Sequence, residues 1–131
     1  MTTWSKLSEE LGRWAEKGCR ADLWWRDDDA MGDGPKLRRL VATAKTNEVP
    51  LALAIIPGGV KDNLQLECVD IPELAVLVHG LGHINWAPFG EKKSEFGPYR
   101  PVKEMLEDVA NAFAILKARF PDSIYPVLNL V

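Results

Sequence analysis

Three adjacent aspartates, Asp27 to Asp29, end the apolar and aromatic run LWWRDDD. Carboxylates a few Å apart raise one another's pKa and cost free energy unless a cation or hydrogen-bond donors offset them. The only two histidines of the sequence, His79 and His83, form one H-x-x-x-H unit at the end of the apolar run LAVLVHG. Two neutral imidazoles and one carboxylate suit Zn²⁺ or another divalent first-row ion, and a second carboxylate can accept a proton from water beside it. These residue types predict a metal site with an acidic neighbour.

The elements that carry these residues are predicted to bring them together. Four short apolar runs are interpreted as strands: ADLWWRD as a buried strand, LALAIIPGG as a strand buried on both faces, then LAVLVHG and SIYPVLNLV. Helical periodicity between strands favours parallel strands with crossover connections, hence an α/β fold. Functional groups of such folds collect beyond the C-terminal ends of strands, so the acids and histidines are expected on one rim. Gly80 and Gly82 favour a tight turn there over a helix.

Three helices are predicted from their apolar spacing. The first covers residues 1–18 and is stopped by Gly18, and the second begins at Gly34-Pro35 and ends before Pro50. The third shows the clearest stripe, consisting of Val102, Met105, Leu106, Val109, Phe113, Leu116 and Phe120. Residues 60–73 have weak periodicity and are expected to form a loop that could include one short helix.

Composition limits the classes of partner and compartment. The 131 residues are 47% hydrophobic, which is enough for one domain over residues 1–131, and the formal charge of -3 gives no basic excess for nucleic acid. Because the sequence has no signal-peptide pattern and no long uncharged run, we expect a cytoplasmic protein without a membrane partner. Cys19 and Cys68 are isolated and are expected to be reduced packing thiols.

Three stretches, LWWRDDDA, VPLALAIIPGG and LVHGLGHINWAPFGEKKSEFG, resemble the opening motifs of polysaccharide deacetylase-like proteins, the NodB-homology carbohydrate esterases. The resemblance covers roughly residues 20–131. It implies part of a distorted (β/α) barrel and a metal-dependent hydrolase that removes acetyl groups from a carbohydrate or related small-molecule substrate. It also implies that the protein binds one divalent metal ion. Zn is the first choice, and Co, Ni, Mn and Fe are the alternatives.

The resemblance assigns roles residue by residue. Aligning the paired acids that precede a small residue in the family puts the catalytic base on Asp28 and the metal-binding acid on Asp29, with Ala30 in the usual glycine position. His79 and His83 match the two metal-binding histidines. A frame shifted to Asp27 and Asp28 stays open.

The sequence departs from the family in its later motifs. Those motifs provide an Arg that positions the base and a His that acts as general acid, whereas this sequence ends after YPVLNLV and has no third histidine. We therefore expect a truncated copy, a site completed by another subunit, or a protein that has lost catalysis. In the last case it would be a non-catalytic metal- or carbohydrate-binding remnant.

The acids have two further interpretations. Asp27-x-Asp29 resembles the acid pair of haloacid-dehalogenase-type phosphatases, but Met31 replaces the expected Thr or Val and the histidines have no role. Alternatively, the acids form a solvated loop before the second helix while the histidines make ordinary turn hydrogen bonds. For Asp33 we adopt this view and predict that it is the N-cap residue of that helix.

Four parallel strands cannot close a barrel, since even small barrels need about eight. An open sheet leaves apolar edges uncovered, and pairing with an identical copy is the commonest remedy. We therefore expect a homodimer or higher homo-oligomer with the last strand at or near the contact.

Overall fold

The computed structural model describes residues 3–66, 71 and 74–129 and contains one parallel sheet. Its strands are β1 (Trp25–Ala30), β2 (Leu51–Ile55), β3 (Ala75–His79) and β4 (Ile124–Asn129), and its helices are α1 (Thr3–Glu16), α2 (Pro35–Thr46) and α3 (Val102–Arg119). A 3₁₀ turn, Pro57–Gly59, follows β2. The strands lie side by side in the order β1-β2-β3-β4 and every pair is parallel. The predicted α/β class with parallel strands is confirmed.

The middle of the sheet is buried, as predicted. Every residue of β2 is buried, and so is β3 from Val76 to His79. Because strand side chains alternate between faces, β2 supplies two clusters. The larger joins the strands to α2 and α3 and includes Leu51, Leu53, Ile55, Val76, Val78, Ala44, Ala112 and Leu116. The smaller, on the opposite face, consists of Ala52, Ala54 and Leu77.

Helix α2 follows its predicted period, because Leu37, Leu40 and Val41 pack against the core. The prediction that Asp33 is its N-cap residue is wrong. Gly34 occupies that position, and the Asp33 carboxylate instead accepts hydrogen bonds from Nε of Arg38 at 2.9 and 3.0 Å. A guanidinium one turn into the helix is a stronger donor than a neutral backbone N–H.

Strand β1 differs from its prediction in position and burial. It begins at Trp25, so the three acids lie within the strand rather than after it. Trp24 just before it is 57% exposed, and within the strand only Ala30 is buried. The cause is topological: β1 is the edge of the sheet and pairs with β2 alone, so its aromatic residues lack the second neighbour that buries β2.

The first and third helices form as predicted, but their apolar stripes are only partly covered. In α1 the stripe of Trp4, Leu7, Leu11 and Trp14 is exposed, and Gly18 ends the helix with φ +70°. In α3 the C-terminal part of the stripe is buried, whereas its first turns are exposed at Val102 and Leu106. The packing role predicted for Cys19 is wrong because this thiol is exposed, and Cys68 lies outside the described residues.

The predicted homo-oligomer and part of the predicted loop over residues 60–73 stay predictions. β4 is the other edge of the sheet and exposes Tyr125 and Val127, and the homo-oligomer stays a prediction. Residues 67–70, 72 and 73 of the loop predicted over 60–73 lie outside the described chain. Within the described ranges no helix is both long and apolar enough to cross a membrane.

Candidate metal centre

Asp29, His79 and His83 converge at the C-terminal end of the sheet. Oδ1 of Asp29 lies 3.0 Å from Nε2 of His79 and 3.3 Å from Nε2 of His83. The two imidazole centroids are 5.2 Å apart with the rings tilted by 53°. One ligand atom from each residue lies within 4.8 Å of the others, so β1 and the β3 turn bring together the three residues that the sequence singles out as metal ligands.

Asp29 reaches the histidines because β1 is irregular there. Asp27 is level with Leu53 of β2 and Ala30 with Ile55, so β1 spans three residue steps where β2 spans two. The extra residue makes a bulge, and Asp29 takes a left-handed conformation with φ +66°. Bulges re-aim side chains at sheet edges and near active sites. Here the bulge directs the Asp29 carboxylate across β2 towards the end of β3.

The two histidines lie in different surroundings. His79 is the last residue of β3 and only 5% exposed, whereas His83 is exposed in the turn that follows. The turn bends back through positive φ at Gly80 (63°) and at His83 (58°). The segment is therefore a tight turn, as Gly80 and Gly82 predict, and not a helix.

A buried glutamate that the sequence analysis did not select supports this turn. Glu95 is 2% exposed, and its carboxylate accepts hydrogen bonds from the backbone N–H groups of Leu81, Gly82 and His83 at 3.2, 2.8 and 3.1 Å. On the other side of the turn the N–H of Gly58 donates to the carbonyl of Leu81 at 2.7 Å. In the sequence Glu95 sits in the charged run GEKKSEFG, where nothing separates it from its solvated neighbours.

Asp28, the predicted base, is held by an arginine of its own strand. Nε of Arg26 lies 2.9 Å from Oδ1 of Asp28, and its terminal nitrogen NH2 lies 3.2 Å from Oδ2. Such a two-point contact fixes the plane of a carboxylate more firmly than a single bond. The i, i+2 spacing puts both side chains on the same face of a strand, so this pair could have been read from the sequence.

The remaining acids have separate surroundings. Partial burial raises the pKa of Asp27, and the charges of Asp28 and Asp29 add to that rise. The Arg38 hydrogen bonds lower the pKa of Asp33, which lies before α2. The three adjacent aspartates thus have different surroundings: Asp29 contacts the histidines, Asp28 contacts Arg26, and Asp27 is partly desolvated.

The distances among the three side chains are compatible with a shared divalent ion. Ligand atoms about 2.0–2.2 Å from a tetrahedral Zn²⁺ ion are about 3.3–3.5 Å from each other. The contacts of Asp29 at 3.0 and 3.3 Å are close to that separation, so small side-chain movements would let the three residues share one ion. The same distances also suit hydrogen bonds from Nε2–H groups to the carboxylate.

Two open clefts meet at Asp29. A cleft of about 740 Å³ runs along the acids to the start of α2. A second, of about 520 Å³, lies between Asp29 and His83 and has Met31, Ile56 and Ile84 in its wall. Small-molecule sites are typically clefts of about 300–1,000 Å³ lined by apolar side chains with a few polar groups. A substrate could therefore reach the carboxylate from either side.

Comparisons of the chain with protein-family models, curated proteins and solved structures found no match in any of the three.

Proposed function

We propose that this protein is a metal-dependent hydrolase that removes acetyl groups from a carbohydrate or related small molecule, as its resemblance to polysaccharide deacetylase-like proteins implies. The observation that carries the proposal is the approach of one Asp29 oxygen to Nε2 of both histidines, at 3.0 and 3.3 Å. Asp29 lies on β1 and the histidines lie at the end of β3 and in the turn after it, with β2 between the two strands. No local turn therefore accounts for their meeting. In this proposal the four strands are part of a distorted β/α barrel.

Backbone strain supports the proposal independently. Three non-glycine residues in the described chain have positive φ, namely Asp29, Glu48 and His83, and two of these are proposed ligands. Left-handed conformations of such residues cost on the order of 1–3 kcal/mol and cluster at functional sites. Asp29 and His83 are thus held in left-handed conformations at an energetic cost.

The roles proposed for the protein groups are those that the resemblance implies. A divalent ion held by Asp29, His79 and His83 would supply Lewis acidity towards an acyl carbonyl and lower the pKa of water. Asp28, as the base that the resemblance implies, would take the proton of the attacking water. Arg26 keeps the Asp28 carboxylate in one orientation through contacts to both of its oxygens. The Arg that the family supplies from a later motif is thereby replaced by one from β1.

A second candidate, a non-catalytic metal- or carbohydrate-binding protein, is favoured by one observation. Both histidines of the sequence belong to the proposed metal site, so neither is left to protonate a leaving group. The phosphatase hypothesis, in contrast, leaves the contact between Asp29 and both histidines without a role.

Acetate release from an N-acetylated oligosaccharide, measured with Zn²⁺- or Co²⁺-loaded protein, tests the proposal. We expect turnover that a chelator abolishes and that Asp28→Asn lowers by about 100-fold or more, since general-base catalysis contributes about 10²–10⁴-fold. Asp22→Asn is the control, because Asp22 forms a similar but fully exposed pair with Arg20. Full activity of Asp28→Asn would contradict the mechanism, and ion binding without acetate release would favour the non-catalytic candidate.

A further inference from the structure

We propose that Glu95 is a positioning residue for the metal centre, which orients His83 by binding the backbone of the turn between the two histidines. The inference rests on the proposed metal site. It assigns a role to a buried carboxylate that accepts hydrogen bonds from the backbone of the turn.

The contacts of Glu95 are concentrated on one short segment. Oε2 accepts from the N–H groups of Leu81 and His83, and Oε1 accepts from that of Gly82. Three successive N–H groups therefore converge on one carboxylate, in a turn where Gly80 and His83 both have positive φ. Hydrogen bonds to a carboxylate are stronger than neutral ones, so they help to hold the left-handed conformation of His83, which a residue with a Cβ disfavours.

The position of Glu95 is itself fixed by the loop that precedes it. Oδ1 of Asn85 accepts from the N–H groups of Ala87 and Ser94, both at 3.0 Å, and the N–H of Trp86 donates to the carbonyl of Ser94 at 3.0 Å. These contacts close residues 85–94 into a loop whose end returns to the beginning of the segment. Glu95, the next residue, is thereby placed next to the turn between the two histidines.

The direct consequence for the metal centre concerns His83. His79 is fixed by its strand and by burial, whereas His83 is exposed and its ring direction depends on the backbone of the turn. Its own N–H is one of the three groups that Glu95 binds, at 3.1 Å. Outer-shell partners of ligands typically change metal affinity by about 10–100-fold.

The experiment compares Glu95→Gln with Glu91→Gln by calorimetric titration with Zn²⁺. Glutamine offers one acceptor oxygen, and its NH2 group would face an N–H donor, so the three-bond arrangement cannot form. We expect Glu95→Gln to weaken Zn²⁺ binding by about 10–100-fold. Glu91→Gln removes an exposed carboxylate of the same loop and should leave affinity unchanged.

A double-mutant comparison separates positioning from general stability. If Glu95 acts through His83, Glu95→Gln should cost no further affinity in a His83→Ala background, and the visible spectrum of bound Co²⁺ should change only when His83 is present. Equal losses in both backgrounds, or wild-type affinity for a folded Glu95→Gln variant, would overturn the inference. Absence of Zn²⁺ binding by the wild-type protein would instead overturn the proposed function together with it.

If Glu95→Gln does not fold, amide hydrogen exchange of the metal-free wild type tests whether Glu95 holds the turn. We expect slow exchange of the Leu81, Gly82 and His83 amides, since each is bonded to a buried acceptor. Rapid exchange of all three would overturn the inference.

Discussion

The two ends of the proposed metal centre are built differently. At the end of β3, His79 is 5% exposed and the turn to His83 is held by Glu95 and by the N–H of Gly58. At β1, the Asp29 side chain is 60% exposed, on an edge strand with an irregular register. The first is fixed by burial and buried hydrogen bonds, and the second by a bulge open to solvent.

This difference suggests how the site would take up an ion. Because the histidine end is pre-organised, it sets the position of two ligands, and the acid end adjusts to complete the set. Pre-organisation of the histidine end reduces the ordering cost of binding an ion there. Mutations at the two ends should therefore differ in kind: those at Asp29 should affect binding alone, and those at His79 should affect folding as well.

The largest effect is expected for the acid end. Asp29→Asn removes a charged ligand and should weaken Zn²⁺ binding by at least about 100-fold, since even outer-shell changes cost about 10–100-fold. Asp28→Asn, the matched change one residue earlier, should weaken it far less because Asp28 pairs with Arg26. Calorimetric titration measures both. The reverse result would mean that the acid frame is Asp27 and Asp28.

An intermediate effect is expected when the two histidines are compared without metal. His79→Asn should lower the free energy of unfolding by about 1–3 kcal/mol, because it removes a buried ring and its hydrogen bonding. His83→Asn should change it by about 0.5 kcal/mol or less, since the position is exposed and Asn tolerates positive φ. Urea unfolding in the presence of a chelator gives both values, and equal losses would remove the contrast between a buried and an exposed ligand.

The smallest effect lies outside the centre, at the Asp33–Arg38 pair before α2. Arg38 lowers the pKa of Asp33 below its ordinary 3.8, so the unfolded chain binds the proton more readily. The pair therefore contributes stability above pH 3.8, and that contribution is lost as the pH falls through the lowered pKa. We expect Asp33→Asn to melt slightly below the wild type at neutral pH and to approach it in acid. A pH-independent gap, with Asp122→Asn as the exposed control, would contradict this origin.

The sequence predicted the histidine end better than the acid end. Continuous apolar runs identified β2 and β3, because a strand that is buried on both faces of a parallel sheet is apolar at successive residues. The same rule misplaced β1: its tryptophans resemble a buried run, but strand order puts them at an edge. Strand order is a property of the whole sheet and cannot be read from one segment.

Within the site, the ligand residues could be selected from the sequence by their types, but the backbone geometry that positions them could not be predicted. Asp29, His79 and His83 were selected because few side chains bind first-row ions. The bulge that turns Asp29 inward and the burial of Glu95 had no such marker, because both depend on register and on a loop that closes through Asn85 and Ser94. Asp33 was misassigned because its donor, Arg38, lies five residues away in the helix.

Metal content of the purified protein tests the central claim most directly. After dialysis against Zn²⁺ and removal of free ion, we expect the wild type to retain one ion per chain and a His79→Ala, His83→Ala double variant to retain none. Two of the three protein ligands are missing in that variant, which leaves only an exposed carboxylate. A full equivalent of ion in the folded double variant, or none in the wild type, would contradict the account.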